Sequence, residues 1–123
     1  MQRILVIDDN NDLRELMCII LRQAGYEVEC VADGQEGLAA QRARPADVVI
    51  TDIFMPNQDG IETIALFRKE FPALKLVVMS GDVKLVNDST YFMTARELGV
   101  DAALAKPFDE DELLRVIRSV LGG

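Results

Sequence analysis

Short apolar runs alternate with amphipathic segments along the whole chain, and this alternation is the feature that most restricts its fold. Apolar runs predict strands, and apolar residues at helical spacing predict helices, giving five consecutive strand–helix units. The predicted strands are Arg3–Ile7, Tyr26–Val31, Val48–Thr51, Lys75–Met79 and Ala102–Ala105. The predicted helices are Asn11–Ala24, Asp33–Ala43, Ile61–Phe71, a segment ending near Leu98 and Gly99, and Asp109–Leu121. Turn residues separate Asp52 from the third helix at Met55–Gly60.

Strands that alternate with helices predict a doubly wound α/β fold, in which a five-stranded parallel sheet is covered by helices on both faces. The continuous apolar strands containing Ile4, Val48 and Leu76 should be central. The strand with Glu27 and Glu29 should lie at an edge, where charge discourages further pairing. This pattern favours the strand order 2-1-3-4-5. A chain of 123 residues has room for one core, so we expect residues 1–123 to form one domain.

Composition excludes several classes of function. The net charge of −8 argues against direct binding to nucleic acid or to an acidic membrane, and no apolar run approaches the length of a membrane span. The chain has no histidine, which rules out Ser-His-Asp and Cys-His catalysis and zinc sites that contain histidine. Its glycines form neither GxGxxG nor GxxxxGK[ST]. The available chemistry therefore rests on carboxylates, hydroxyls and cations.

The two cysteines, Cys18 and Cys30, lie in different predicted elements and lack the CxxC spacing. We interpret them as buried or half-buried free thiols in a reducing cytoplasm. The first helix should place Cys18 and Ile19 on its outer side.

Polar residues follow four of the five predicted strands. Asp8 and Asp9 come after the first strand, Asp52 ends the third, Ser80 follows the fourth and Lys106 the fifth. Because the carboxyl ends of parallel strands meet at one edge, and ligands bind there in open α/β sheets, these side chains should share one cleft.

Three carboxylates in one small cleft repel each other, and a hard cation such as Mg²⁺ relieves that repulsion. We expect Asp9 and Asp52 to bind the ion directly, Asp8 through water, and Phe54 through its backbone carbonyl. Asp52 can also attack phosphorus as a carboxylate nucleophile and form an acyl phosphate. Lys106 would supply positive charge, and Ser80 a hydroxyl donor, to the transferred phosphoryl oxygens.

Five short motifs make the chain similar to the response-regulator receiver domains of two-component signalling, over essentially its whole length. They are Ile7-Asp8-Asp9, Asp52-Ile53-Phe54-Met55-Pro56, Asp59-Gly60, Ser80-Gly81 and Lys106-Pro107-Phe108. Each motif is weak alone, but their order and their positions at strand ends make the resemblance specific.

The resemblance implies a flavodoxin-like, CheY-like fold and a Mg²⁺-dependent reaction, with Mn²⁺ as an alternative ion. It implies that Asp52 accepts a phosphoryl group from a phosphohistidine on a sensor histidine kinase or a histidine phosphotransfer protein. Since this chain lacks histidine, the donor must be a separate molecule. It further implies a cytoplasmic signalling domain, monomeric or weakly dimeric, that catalyses only its own phosphorylation and slow autodephosphorylation.

Two departures from the family pattern concern how phosphorylation is transmitted. Ala103 occupies the position, three residues before Lys106, where most receivers carry Tyr or Phe. The stretch between Ser80 and Lys106 is also longer than usual. We therefore expect the segment from Gly81 to Leu98 to respond to phosphorylation in place of an aromatic ring.

Two alternatives stay open at this point. A Mg²⁺-dependent phosphatase could use Asp8 as nucleophile, but it would need an acid two residues later, where this chain has Asn10. A degenerate receiver could act as an interaction module without phosphorylation, an alternative that Ala103 keeps open.

Overall fold

The computed structural model describes residues 2–55, 58–80 and 97–122, and for residues 54, 55, 58–61 and 80 it describes the backbone alone. Its strands are β1 (Arg3–Ile7), β2 (Glu27–Val31), β3 (Val48–Asp52), β4 (Phe54–Met55), β5 (Gln58–Asp59), β6 (Lys75–Ser80) and β7 (Ala102–Ala105). The helices in this part of the chain are α1 (Asn11–Gln23), α2 (Gly34–Ala43), α3 (Gly60–Glu70) and α4 (Glu110–Gly122). These bounds lie within one residue of the corresponding predictions. The helix predicted to end near Leu98 and Gly99 falls mostly outside the described residues.

Five parallel strands form the central sheet in the order β2-β1-β3-β6-β7. This is the predicted order, with β2 at one edge and β1, β3 and β6 in the middle. The residues expected in the central strands, Ile4, Val48 and Leu76, are fully buried. The turn predicted after Asp52 contains a short antiparallel hairpin, in which β4 pairs with β5.

The two faces of the sheet bury separate apolar clusters, which confirms that helices cover both sides. One cluster joins the sheet to α1 and α4 through Met17, Leu21, Leu113 and Ile117. The other joins it to α2 and α3 through residues that include Leu38, Ile64 and Phe67. Within the described residues, no helix combines the length and apolarity needed to cross a membrane.

Local sequence signals set both ends of α1 and the close packing of α2 on the sheet. The side chain of Asn10 accepts a hydrogen bond from the Leu13 N–H at 3.0 Å and so caps α1. At the other end of α1, Gly25 has φ +100°, a left-handed conformation that glycine adopts at little cost. Gly37 packs α2 closely on β1, because a Cβ there would collide with Ile7.

The interpretation of the two cysteines as free thiols is wrong. Cys18 of α1 and Cys30 of β2 form a disulfide, with their Cα atoms 6.7 Å apart, within the range that a disulfide spans. Cys18 is 6% exposed and belongs to the core, so its expected outer position is also wrong. Ile19 is exposed as expected. The helical rotation that packs Met17 and Leu21 inward also turns Cys18 towards β2.

Candidate functional site

The register of the sheet brings the predicted polar residues to one edge. Ile7 pairs with Thr51, so the next residues along the two strands, Asp8 and Asp52, lie side by side. On the other side of β3, Asp52 pairs with Met79 of β6. The parallel arrangement therefore places carboxylates from distant parts of the sequence in one cleft, as the strand pattern predicted.

Lys106 joins two of these carboxylates. Its Nζ donates to Asp52 Oδ2 at 2.7 Å and to Asp8 Oδ2 at 2.9 Å. The Asp8 side chain is fully buried, that of Asp52 is 9% exposed and that of Lys106 is 18% exposed. A charge pair with so little access to solvent is only weakly screened, and removing one member leaves the other uncompensated.

The carboxylates keep Lys106 protonated. Burial by itself lowers the pKa of Lys106, because a buried ammonium group loses solvation. The hydrogen bonds to Asp52 and Asp8, together with their negative charges, outweigh that loss and raise the pKa above its ordinary value. The site therefore holds a fixed positive charge at neutral pH.

Three carboxylates, from Asp8, Asp9 and Asp52, each offer an oxygen within 4.8 Å of the others. Carboxylate oxygens are the donors that Mg²⁺ prefers, and the ion commonly keeps several waters in protein sites. Asp8 and Asp52 are buried, whereas Asp9 is exposed and borders solvent. This combination of buried and solvent-facing oxygens fits a partly hydrated hard cation.

Asp8 has further partners that the sequence analysis missed. The backbone N–H of Asn10 donates to Asp8 Oδ1 at 2.9 Å, and the Arg14 guanidinium donates to the backbone carbonyl of Asp8 at 2.7 Å. Asn10 directly precedes α1 and caps it, and Arg14 lies one turn further along the same helix. Both contacts involve a backbone atom, and nothing in the sequence pointed to either of them.

Other predicted site residues are only partly described. Ser80 ends β6 and pairs with Ala105, which places its backbone at the same edge, but its side chain lies outside the described part. Phe54 lies in β4, and its role as a carbonyl ligand stays a prediction. Ala103 lies in β7, opposite Val78. The segment expected to respond to phosphorylation, Gly81–Leu98, is outside the described residues except at its end.

The sequence also matches a known family. Residues 4–118 match the model of the response regulator receiver domain. The chain therefore belongs to this family of two-component signalling domains, which are not enzymes in the ordinary sense. Receiver domains bind Mg²⁺ in an acidic pocket, and in this chain Asp8, Asp9 and Asp52 form a cluster of carboxylates.

Two curated relatives are much longer than this chain. The DNA-binding response regulator MtrA of Mycobacterium tuberculosis is 31% identical over 120 residues, which are 98% of this chain and 50% of that protein. The sensor kinase/phosphatase CqsS of Vibrio cholerae, whose name refers to the autoinducer CAI-1, is 34% identical over 119 residues, 94% of this chain and 17% of that protein. The chain thus spans half or less of these relatives.

Two solved structures match over nearly their whole length. The chemotaxis response regulator CheY4 of Vibrio cholerae has a TM-score of 0.89 at 29% identity, covering 98% of this chain and 99% of that one. The response regulator TrrA of Thermotoga maritima, solved in complex with Mg²⁺-BeF, has a TM-score of 0.85 at 30% identity, covering 98% and 100%. The predicted CheY-like fold is confirmed.

Proposed function

We propose that residues 1–123 act as one phospho-accepting receiver domain, in which Asp52 takes a phosphoryl group from a phosphohistidine in a Mg²⁺-dependent reaction. The observation that carries this proposal is the geometry of the cleft. Oxygens of three carboxylates lie within 4.8 Å of one another, and Lys106 Nζ donates hydrogen bonds to two of these residues, Asp8 and Asp52. The relative TrrA supports the proposal, because that protein, which has the same fold, was solved in complex with Mg²⁺ and a beryllium fluoride species.

In the proposed transfer, an Asp52 carboxylate oxygen attacks phosphorus, forming a P–O bond as the P–N bond of the phosphohistidine breaks. The electron pair of that bond stays on the departing imidazole nitrogen, which takes a proton from solvent. Bound Mg²⁺, held by Asp9 and Asp52 with Asp8 through water and the carbonyl of Phe54, would neutralise the negative charge that gathers there.

Lys106 is the fixed cation of this step. Its ammonium group contacts Asp52 before transfer. It would then donate a hydrogen bond to a phosphoryl oxygen as negative charge develops there. Ser80 would donate a hydrogen bond to another of those oxygens, because it ends the neighbouring strand. Slow hydrolysis of the acyl phosphate by water would return Asp52 to its starting state.

The partner that supplies the phosphoryl group would be a sensor histidine kinase or a histidine phosphotransfer protein. Helix α1 begins two residues after Asp9 and exposes two large apolar side chains, Leu16 at 52% and Ile19 at 46%. We place the docking contact with the phosphodonor here, next to the acceptor cleft. Such transfer would take place in the cytoplasm, where the Cys18–Cys30 disulfide is unusual.

The phosphatase alternative is weakened by the surroundings of Asp8. Both of its carboxylate oxygens accept hydrogen bonds, from Asn10 and Lys106, and the side chain is fully buried. The side chain of Asn10 accepts a hydrogen bond at the start of α1, and an amide has no acidic proton to give to a leaving group. Asn10 therefore cannot act as the acid that the phosphatase needs. The degenerate-receiver alternative is not favoured either, because the carboxylates and the lysine are all in place.

The direct test is covalent phosphoryl uptake from acetyl phosphate, followed by intact-protein mass spectrometry. With Mg²⁺, the wild type should gain the mass of one phosphoryl group and Asp52→Asn should gain none. Asp12→Asn is the matched control, because it removes an exposed carboxylate from the first turn of α1. Equal uptake by Asp52→Asn would assign the acceptor elsewhere, and sustained turnover of a soluble phosphomonoester would favour the phosphatase.

A further inference from the structure

Every backbone and side-chain polar group of Asp8 has a partner. Its N–H donates to the carbonyl of Val31 at 3.2 Å, and its two carboxylate oxygens accept from the Asn10 N–H and from Lys106 Nζ, both at 2.9 Å. Its carbonyl oxygen accepts from Nη1 of Arg14 at 2.7 Å. The proposed phosphoryl transfer uses the carboxylate of Asp8, whereas the contact of Arg14 with the Asp8 carbonyl has no part in it.

Arg14 connects this carbonyl to the start of α1. Its Nη2 donates to Asn11 Oδ1 at 2.5 Å, and its backbone N–H donates to the Asn10 carbonyl at 3.0 Å. The side chain is half-buried. A guanidinium group is planar and rigid, so two donated bonds fix its orientation in a way that a lysine ammonium cannot reproduce.

The carbonyl that Arg14 holds belongs to the peptide unit that joins Asp8 to Asp9. Fixing the plane of this peptide fixes the direction in which the Asp9 backbone leaves β1, and so where its carboxylate points. Asp9 is the exposed member of the carboxylate cluster. We propose that Arg14 is a positioning residue, which sets the Asp8–Asp9 peptide so that both carboxylates face one cation.

This inference rests on the proposed function of the cleft as a Mg²⁺ site. The direction in which Mg²⁺ affinity changes when Arg14 is replaced tests it, because charge and positioning predict opposite changes. A positive charge near the cleft repels a cation, so if Arg14 acted by charge alone, its removal would strengthen Mg²⁺ binding. If Arg14 acts by holding the peptide, its removal weakens binding. Replacing a residue that holds a metal ligand in place, without touching the metal itself, commonly changes metal affinity by about 10- to 100-fold.

The experiment measures the Mg²⁺ dissociation constant by calorimetric titration of the purified chain, with amide chemical shifts as a second readout. We expect Arg14→Gln to weaken Mg²⁺ binding about tenfold. Arg14→Lys keeps the positive charge but cannot donate to the Asp8 carbonyl and to Asn11 Oδ1 in the same geometry, so it should also weaken Mg²⁺ binding. Arg22→Gln is the matched control, because Arg22 lies on the same helix and donates in the same way to the Val28 carbonyl at 3.0 Å. Its Mg²⁺ affinity should equal that of the wild type.

Unchanged or tighter Mg²⁺ binding in Arg14→Gln would overturn the proposal. If Arg14→Gln does not fold, as judged by circular dichroism without Mg²⁺, the affinity of Arg14→Lys decides in its place. Phosphoryl uptake at saturating Mg²⁺ separates this inference from the proposed function. A wild type that binds Mg²⁺ but takes no phosphoryl group contradicts the acceptor role and leaves the Arg14 result standing. A wild type that is phosphorylated, with Mg²⁺ affinity unaltered in both Arg14 variants, contradicts the positioning role alone.

Discussion

The two ends of the central sheet both carry charged clusters, but only one of them has its charges matched. Towards the amino end, the guanidinium of Arg3 contacts Glu27 and Glu29, and Arg44 also contacts Glu27. Two guanidinium groups there form ion pairs with the two glutamate carboxylates, and the carboxylate of Asp47 accepts a hydrogen bond from the Arg3 backbone N–H at 2.8 Å.

At the carboxyl end, the carboxylates of Asp8, Asp9 and Asp52 form one cluster, and the ammonium group of Lys106 contacts two of them, those of Asp8 and Asp52. The matched cluster needs nothing more to be stable, whereas the cluster with excess carboxylates favours the arrival of a cation. An excess of carboxylates over cations is thus expected at a site that binds a cation, whereas a cluster of ion pairs is expected where charges only stabilise the fold.

Replacing Lys106 should give the largest effect on stability. Lys106→Met removes the cation that contacts two nearly buried carboxylates, and we expect it to lower the free energy of unfolding by about 3 kcal/mol. Urea unfolding measures the change. Millimolar Mg²⁺ should restore part of the loss, because the cation replaces the missing charge. Lys75→Met is the control, since Lys75 is 49% exposed and lies 4.0 Å from Asp101. A loss no larger than that of the control would remove Lys106 from the centre of the cluster.

The same substitution at the matched cluster should cost less. Arg3→Met removes hydrogen bonds to Glu27, Glu29 and the Arg44 carbonyl, which we expect to lower the free energy of unfolding by about 2 kcal/mol. Its partners are 31% and 39% exposed, so water can solvate them once Arg3 is gone. Mg²⁺ should restore none of this loss. Recovery by Mg²⁺ would show that the amino end also binds the cation and would remove the contrast between the two ends.

The smallest expected effect is a dependence of stability on alkaline pH. The pKa of Lys106 is raised in the folded state, so its contribution is complete below the ordinary pKa of 10.5 and is lost as pH rises through the higher folded value. The difference in unfolding free energy between wild type and Lys106→Met should therefore be constant at neutral pH and narrow above 10.5. A difference that narrows well below that pH would mean that Asp52 and Asp8 do not hold the ammonium.

The sequence was sufficient to predict the features that depend on the alternation of apolar and polar segments along the chain. Apolar runs located the strands, and the geometry of a parallel sheet then brought Asp8, Asp52 and Lys106 together without any knowledge of distances. This inference needed only that each polar residue follow a strand, so small errors in element bounds did not affect it.

Features that depend on the rotation of one element against another could not be predicted in this way. The Cys18–Cys30 disulfide requires α1 to turn Cys18 towards β2, and helical spacing alone did not settle which side it faced. The contact of Arg14 with the Asp8 carbonyl has a backbone atom as its acceptor, and such an acceptor leaves no mark in a sequence. Only the folded arrangement shows these contacts.

The contrast between the two ends is tested most directly by the melting temperature with and without millimolar Mg²⁺ in the wild type, Asp9→Ala and Glu29→Ala. Asp9→Ala relieves repulsion at the carboxyl end, so without Mg²⁺ it should melt above the wild type, whereas Glu29→Ala breaks a matched pair and should melt below it. Mg²⁺ binds only the folded state, so it should raise the melting temperature of the wild type and Glu29→Ala by the same amount and that of Asp9→Ala much less. An equal rise in all three proteins would contradict the assignment of the cation to the carboxylate cluster.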